Sequence, residues 1–596
     1  MTAQDAPAAR LVSNGGGAKR KARVMAWEDV KAICRLLGHA GRRRLVHAVK
    51  SFEAGPFSRW RWPGGLPERL VIAPQDIRTS DPTIAGDIYA GVFAFAGKVA
   101  ETGGHSPFDI EPPSDDWARE LHSFGWLRHL KAANGALTRS NARALVSDWI
   151  MHEARHDPIA FETEVAARRL IVFVSQSPLI LEGADRAFYR TFLKCIIRHV
   201  RRLRRGLKHV EEGYPTLASL ISVTLAALSL DGQTKLVRQM MTALDAELLR
   251  QILPDGGHVS RNPQVIVDLL IDLLPLRQAF TARGVAPSAA LLGAIDRMLP
   301  MLRFFRHRNG EFARFNGMGT TRVDIMAAVL AHDDARGQPV SNASPSGYQR
   351  LDCGATTLIV DVGAPPPMEL SGNAHAGCLA FEMSAGACRF VVNCGGAEGP
   401  ALWQEASRAT AAHSTLTVEN TSSARFARSG LMRRIFGTAI IAGPKVLESE
   451  RLERHNDVAV TASHDGYLKR FGVIHSRSLT LSADGTRIIG VDRLDAKRHL
   501  KAPVKFIIRF HLHPSIRASR TGGGQVIMLA PDGEAWSFAC TDLEPMLEES
   551  IYLSAIHGRR RCLQIVLEGE AGEDMPEITW SMEREAVGKG ARRGRA

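Results

Sequence analysis

An α + β multidomain chain, with a helical domain followed by an antiparallel β-sandwich, is the fold class this sequence predicts. Three observations carry the prediction. Apolar residues recur every three or four positions from Trp27 to about Ala331, a Pro/Gly/Ser-rich stretch follows at 337–347, and beyond it the apolar period falls to two. A chain of 596 residues also exceeds what one hydrophobic core serves, so two large domains are expected.

The elements follow in order. Residues 1–24 carry Lys19, Arg20, Lys21 and Arg23 with no apolar run or small-residue cleavage site after them, which predicts a disordered basic terminus and no secretory signal. A helical domain is expected over 25–335. Its stripes include Ala142, Leu145, Val146 and Trp149, then Phe188, Phe192, Cys195, Ile196 and His199, then Val267, Leu269, Leu270, Leu273 and Leu274. Punctuation at Pro158, Gly183, Gly206, Gly213 with Pro215, Gly232, Pro254 with Gly256 and Gly257, Pro263, Pro275 and Gly284 divides it into seven to ten antiparallel helices. Residues 336–348 read as a linker by composition. Twelve strand-like runs between Thr356 and Met582, with turn signals such as Ala483-Asp484-Gly485 and Pro531-Asp532-Gly533, predict stacked sheets over 349–585. Residues 586–596 form a basic tail.

Composition narrows the function classes. The longest apolar run, Ala218 to Leu230, is interrupted by Ser219, Ser222, Thr224 and Ser229 and is shorter than the ~20 residues of a membrane span, so no transmembrane helix is expected. Eight cysteines lie scattered without CxxC spacing, which suits a reduced, cytoplasmic chain. The net charge of +14 favours an anionic partner, and much of the excess is local, at Arg42 to Arg44, from Arg198 to Lys208, and from Lys589 to Arg595. No zinc finger, helix-turn-helix or Gly-aromatic RNA motif accompanies it, so nucleic acid is disfavoured and an acidic polysaccharide fits better. The oligomeric state is left open, a dimer among the options.

Chemistry concentrates in Gly372-Asn373-Ala374-His375-Ala376-Gly377, Val391-Val392-Asn393-Cys394-Gly395 and Ala412-His413-Ser414-Thr415. A histidine before one strand, an amide ending the next and a histidine before a third is how a sheet gathers ligands around one point. With Pro67-Glu68-Arg69-Leu70, Phe124-Gly125-Trp126-Leu127-Arg128-His129, Asp255-Gly256-Gly257-His258 and Ser463-His464-Asp465-Gly466-Tyr467, this order resembles the heparinase II/III family of polysaccharide lyases, and its helical half is similar to an alphaproteobacterial-type branch. The resemblance implies an incomplete α/α toroid facing the sandwich across a cleft, β-elimination from a uronate-containing polysaccharide, and a periplasmic or envelope setting as the alternative to the cytoplasm.

Such an elimination needs the uronate charge neutralised, the adjacent carbon deprotonated and the leaving oxygen protonated. Where the family carries Asn-Asn-His, this chain has Gly213-Tyr214-Pro215-Thr216, and where the family's tyrosine falls it has Val265. The first histidine of the family's His-x-His is Asn373 here and the second is His375; the further zinc ligands map to Asn393 and His413. The expected catalytic set is therefore His258, Arg261, Tyr214 and Asn373, with Tyr467 as a reserve proton donor. Asn262, Asn316 and Arg314 are expected to bind substrate, and His375, Asn393 and His413 to hold a structural Zn²⁺, a poorer set than His-Asp-His because a neutral amide binds zinc weakly. The alternative is a catalytically inactive glycan-binding or envelope-assembly protein of the same fold.

Overall fold

The computed structural model describes residues 67–153, 157–332, 337–397, 399–427, 433, 437–500, 502–555, 558–572 and 577–585, with Gly38 and Gly41. The expected N-terminal 1–24 and C-terminal 586–596 segments lie outside the described residues.

The helical domain is built from α1 (Ile84–Tyr89), α2 (Asp115–Ser123), α3 (Leu127–Ala133), α4 (Ala136–Met151), α5 (Thr163–Ser175), α6 (Ser177–Leu181), α7 (Arg186–Gly206), α8 (Tyr214–Ser229), α9 (Thr234–Gln251), α10 (Pro263–Ala282), α11 (Ala289–Phe304) and α12 (Val323–Leu330). Their apolar distributions sort them into two layers. In α8 every residue from Leu217 to Ser229 is buried, serines and threonine included, so it has no solvent face. Helix α10 is buried nearly all round as well. Helices α7 and α9 bury one stripe only. The inner helices α5, α8 and α10 pack on one another, and α7, α9 and α11 lie outside them, which makes an incomplete α/α toroid. Helix α10 runs through Pro275 instead of ending there; the missing N–H forfeits the bond to the carbonyl of Ile271, and the packed surroundings hold the helix together.

The C-terminal domain stacks two antiparallel sheets. One runs in order Met546–Tyr552, Arg560–Ala571, Val504–Leu512, Cys388–Val392, Phe381–Ala385, Thr356–Asp361, Tyr348–Cys353 and Asn342–Ala343, with Leu416–Val418 also pairing Val504–Leu512. The other runs Val446–Glu453, Asp457–His464, Val473–Ser482, Arg487–Ala496, Glu577–Arg584, Ala535–Cys540, Val526–Leu529 and Arg517–Arg520. Aromatic rings fill the space between them: Trp580 stacks on Phe381 at 5.7 Å and meets Phe510 edge-on at 4.7 Å. Gly490 leaves room for that indole, since a Cβ there would stand 2.0 Å from it.

The predicted linker is only half a linker. Asn342 and Ala343 already pair with Gln349 and Tyr348, and Ser346 is buried against the toroid. There the domains are bolted together: Asp255 accepts from the Ser346 N–H and hydroxyl, both at 2.8 Å. Farther along, the segment after α11 lies on the outer face of the first sheet, where His307 meets Ser384 at 2.9 Å and Glu382 at 3.2 Å.

Candidate functional site

Two polar regions meet where the toroid opens onto the sandwich. The first is the toroid lumen. Glu164 and Arg168 sit one turn apart on α5, Tyr214 opens α8, and Gln264, Asp268 and Asp272 form an i, i+4, i+8 row on α10. Arg168 bonds Asp272 at 3.1 Å and Asp76 at 3.3 Å, and Arg78 bonds the same two carboxylates at 2.9 and 3.3 Å. Burial would raise the Asp76 carboxyl, but Arg168 and Arg78 together hold it below the usual value.

Nearer the mouth the lumen is acidic. Asp268 accepts from the Gln264 amide at 2.8 Å, and its carboxyl is pushed up to about 6, chiefly by burial. Glu164 is exposed to water yet loses enough hydration in this concavity, with Asp268 beside it, to rise to about 7. Burial and the charges of Asp268, Asp272 and Glu164 drive the Tyr214 phenol well above its ordinary 10. A uronate arriving here would meet carboxyls and a phenol that stays protonated.

The second region is the seam between the domains. Asn262 caps α10, its side chain accepting from Gln264 N at 2.9 Å, and Pro263 follows at the first helical position, where its missing N–H is harmless. Arg261, in the left-handed region at φ 59°, turns back into the sandwich. It donates to the carbonyls of Ser346, Ala364 and Gly347 at 2.7, 2.7 and 2.9 Å and to Asp361 at 2.5 Å, and Asp361 keeps the guanidinium charged despite its burial. Asn316 joins the same knot: its amide donates to Tyr348 Oη at 2.6 Å and its oxygen accepts from His375 N at 3.2 Å. Gly317 lets the loops close, because a Cβ there would stand 2.8 Å from the Asn373 carbonyl and 3.2 Å from the Asn262 amide.

The structure thus brings Arg261, Asn262, Asn316, Asn373, His375 and His413 to one seam. His258 lies just beyond, its ring 4.0 Å from where a Cβ on Gly213 would stand. Its Nδ1 accepts from Ser260 N at 3.1 Å, so Nε2–H donates to Gln251 Oε1 at 2.9 Å, and burial lowers the ring to about 3. Asn373 is exposed, and Tyr214 is half-buried. Arg314 sits apart, buried against Tyr552 Oη at 3.1 Å, Thr321 at 2.7 Å and Glu311 at 2.8 Å. Tyr467 is sealed in the sandwich core, donating to the Leu416 carbonyl at 2.8 Å.

The expected zinc ligands do not fit a zinc ion as they stand. His413 Nδ1–H donates to the Ala409 carbonyl at 2.8 Å, which leaves Nε2 to accept the His375 Nδ1–H at 2.9 Å. Asn393 spends its oxygen on Ser414 N at 3.0 Å and its NH₂ on Glu382 at 3.3 Å. Among the described residues no group of three or more His, Cys, Asp or Glu side chains is placed to hold a metal.

Glu164, Asp268, Asp272 and Gln264 were outside the sequence-derived set. The signal was present, as three polar residues spaced by four on the otherwise apolar run from Pro263 to Leu276.

Three comparisons bear on this arrangement. The family model for the heparinase II/III-like C-terminal domain matches residues 335–581. FtsZ-localized protein C of Caulobacter vibrioides is 30% identical over 561 residues, covering 90% of this chain and 96% of that protein. Among solved structures, heparinase III superposes with a TM-score of 0.68 at 12% identity, covering 94% of this chain and 92% of the other. A heparan sulfate lyase HepC mutant from Pedobacter heparinus gives 0.61 at 14% identity, over 94% and 89%. No described helix is long and apolar enough to cross a membrane.

Proposed function

Because the chain belongs to the heparinase II/III-like family, we propose that it uses the lyase fold without the lyase chemistry, as a glycan-binding assembly protein of the cell-division apparatus. One observation carries this reading: where a lyase of this family places its tyrosine and its first sandwich histidine, this chain holds Val265 and an exposed Asn373 amide, neither of which moves a proton. Of the nearby histidines, His258 and His413 have both ring nitrogens bonded within the protein, and His375 spends Nδ1–H on His413. The loss of a placed acid or base removes ~10²–10⁴-fold in rate, and here more than one is missing. The name of the relative, FtsZ-localized protein C, supports a place at the division site.

The test has two arms. Purified protein is incubated with polygalacturonate, heparan sulfate and hyaluronate while absorbance near 232 nm reports unsaturated uronate; a flat trace is expected. The same protein is sedimented with FtsZ polymers, and co-pelleting above an albumin control is expected. A rising absorbance abolished by Tyr214→Phe would overturn the reading, as would failure to pellet with FtsZ.

A second reading rests on one specific observation. Glu164 and Asp268, at about 7 and 6, are poised for proton transfer at neutral pH beside Tyr214, as a rearranged acid–base pair would be. On that reading Glu164→Gln and Asp268→Asn abolish turnover of a neutral or amino-bearing glycan, measured by chromatography of the products.

A further inference from the structure

Helix α7 carries a surface that neither reading uses. Its sequence from Arg186 to Gly206 contains no Asp or Glu, and Arg186, Arg190, Lys194, Arg198 and Arg202 recur at every fourth position, all exposed. Residues spaced by four form a ridge inclined about 26° to the helix axis, with a step of about 6 Å along it. Five cations therefore cross the solvent face of the toroid over about 24 Å. Little neutralises them. Arg198 pairs with Glu153 at 2.6 Å and Arg202 lies 3.9 Å over the Phe161 ring, while Arg186, Arg190 and Lys194 have no ion-pair partner among the described residues. Arg204 and the exposed Lys208 extend the positive field at the C-terminal end.

The features around the ridge select among polyanions. A single-stranded nucleic acid needs aromatic platforms for its bases. The aromatics of α7 are turned inward: Phe192 is buried, Phe188 and Tyr189 are half-buried, and Tyr189 Oη accepts from Leu70 N. A membrane surface would be gripped by an interfacial helix that sinks its apolar face among lipids. Here that face, with Phe192, Leu193, Ile196, Ile197, Val200 and Leu203, is already spent on the toroid core. An extended polypeptide places side chains on one side every ~6.6 Å, close to the ridge's step.

We propose that the α7 ridge is the docking surface for an extended acidic segment of a protein partner, with carboxylates at alternate positions meeting successive cations of the row. The surface lies on the outer layer of the toroid and operates whether or not the cleft is silent.

The probe is a fluorescein-labelled peptide of ten Glu-Ser repeats, titrated by anisotropy with the full chain at low and physiological salt. The row is neutralised in Arg190→Gln/Lys194→Gln/Arg202→Gln. The control, Lys131→Gln/Lys235→Gln/Arg238→Gln, removes three other exposed charges. With each exposed pair contributing modestly, the row variant should bind about tenfold more weakly and the control unchanged, and affinity should fall as salt rises. Matched melting temperatures establish that both variants fold. Equal loss in the two variants would overturn the proposal. So would oligothymidylate, polygalacturonate or phosphatidylglycerol vesicles binding more tightly than the peptide and losing that binding in the row variant.

Discussion

Replacing Arg261 with methionine separates two roles the sequence could not separate. A catalytic arginine could be removed with little effect on stability, but the observed side chain is a bolt between the domains. Among the described residues it supplies the only ion pair to buried Asp361 and the side-chain donors to the Ser346 and Ala364 carbonyls, whereas the Gly347 carbonyl keeps a second donor in Val362 N. Breaking a buried pair from one side costs ~3–5 kcal/mol, because the carboxylate left behind is neither solvated nor paired. Two carbonyls stripped of a charged donor add ~1 kcal/mol or more each, so Arg261→Met should lose about 5 kcal/mol or more. Equilibrium urea unfolding followed by far-UV circular dichroism measures it. Asp361→Asn in the same background removes the orphaned charge and should restore about 2–3 kcal/mol, a coupling that only contacting residues show. A single variant within about 1 kcal/mol of the parent would refute the bolt, and additive losses in the double variant would refute the pairing.

Other outcomes follow from the same contacts. Gly257→Ala would place a Cβ 1.8 Å from Ser346 Oγ, dislodging the serine from Asp255; a loss of ~3 kcal/mol or more is expected in the same unfolding assay, and a neutral result would show that the junction yields. His258, His413 and His511 are held by burial at about 3, 4 and 3, below the ordinary 6.5. As pH falls the unfolded chain takes up their protons first, so their contribution is whole above about 6.5 and is lost progressively towards 4. The urea midpoint should drop between pH 7.5 and 5, and an unchanged midpoint would contradict these environments. Elemental analysis of protein purified without chelator should find well under one zinc per chain; stoichiometric zinc abolished by His375→Ala would show that His375 and His413 open to a metal after all.

The legible part of the fold was the part encoded in periodicity. Every one of the twelve expected strand runs lies on or overlaps an observed strand, because each is a short apolar-rich run with a buried face, alternating as in Val473–Ser482 or buried throughout as in Thr356–Asp361. Val446–Glu453 was missed for the opposite reason. It is a sheet edge, mostly exposed on both faces and rich in glutamate, so it has no apolar alternation to read. Tyr348–Cys353 was hidden by its neighbours, since Pro345, Ser346 and Gly347 mark a linker by composition while Ser346 and Gly347 are in fact packed between the domains.

The site was legible only as an address. Asp255 to His258, Arg261 and Asn262, Asn316 and Asn373 to His375 do converge, but what each side chain does depends on partners as far as 103 residues away, such as Ala364 for Arg261. Spacing along the chain cannot reveal such a partner.

Charge shows the same gap between composition and placement. An excess of +14 suggested a cleft that draws in a polyanion. In the folded chain Arg78 and Arg168 are both bonded to Asp76 and Asp272, so the lumen neutralises itself and turns acidic towards its mouth at Glu164 and Asp268. Arg186, Arg190 and Lys194, which have no ion-pair partner among the described residues, stand instead in a row on the outer layer. Within a Debye length of about 8 Å at physiological salt, each surface acts on its own ligand. An acidic segment docked on the outer row and a glycan held in the cleft, as proposed, would therefore occupy different sides of the toroid, a separation that suits a protein keeping the lyase fold for assembly.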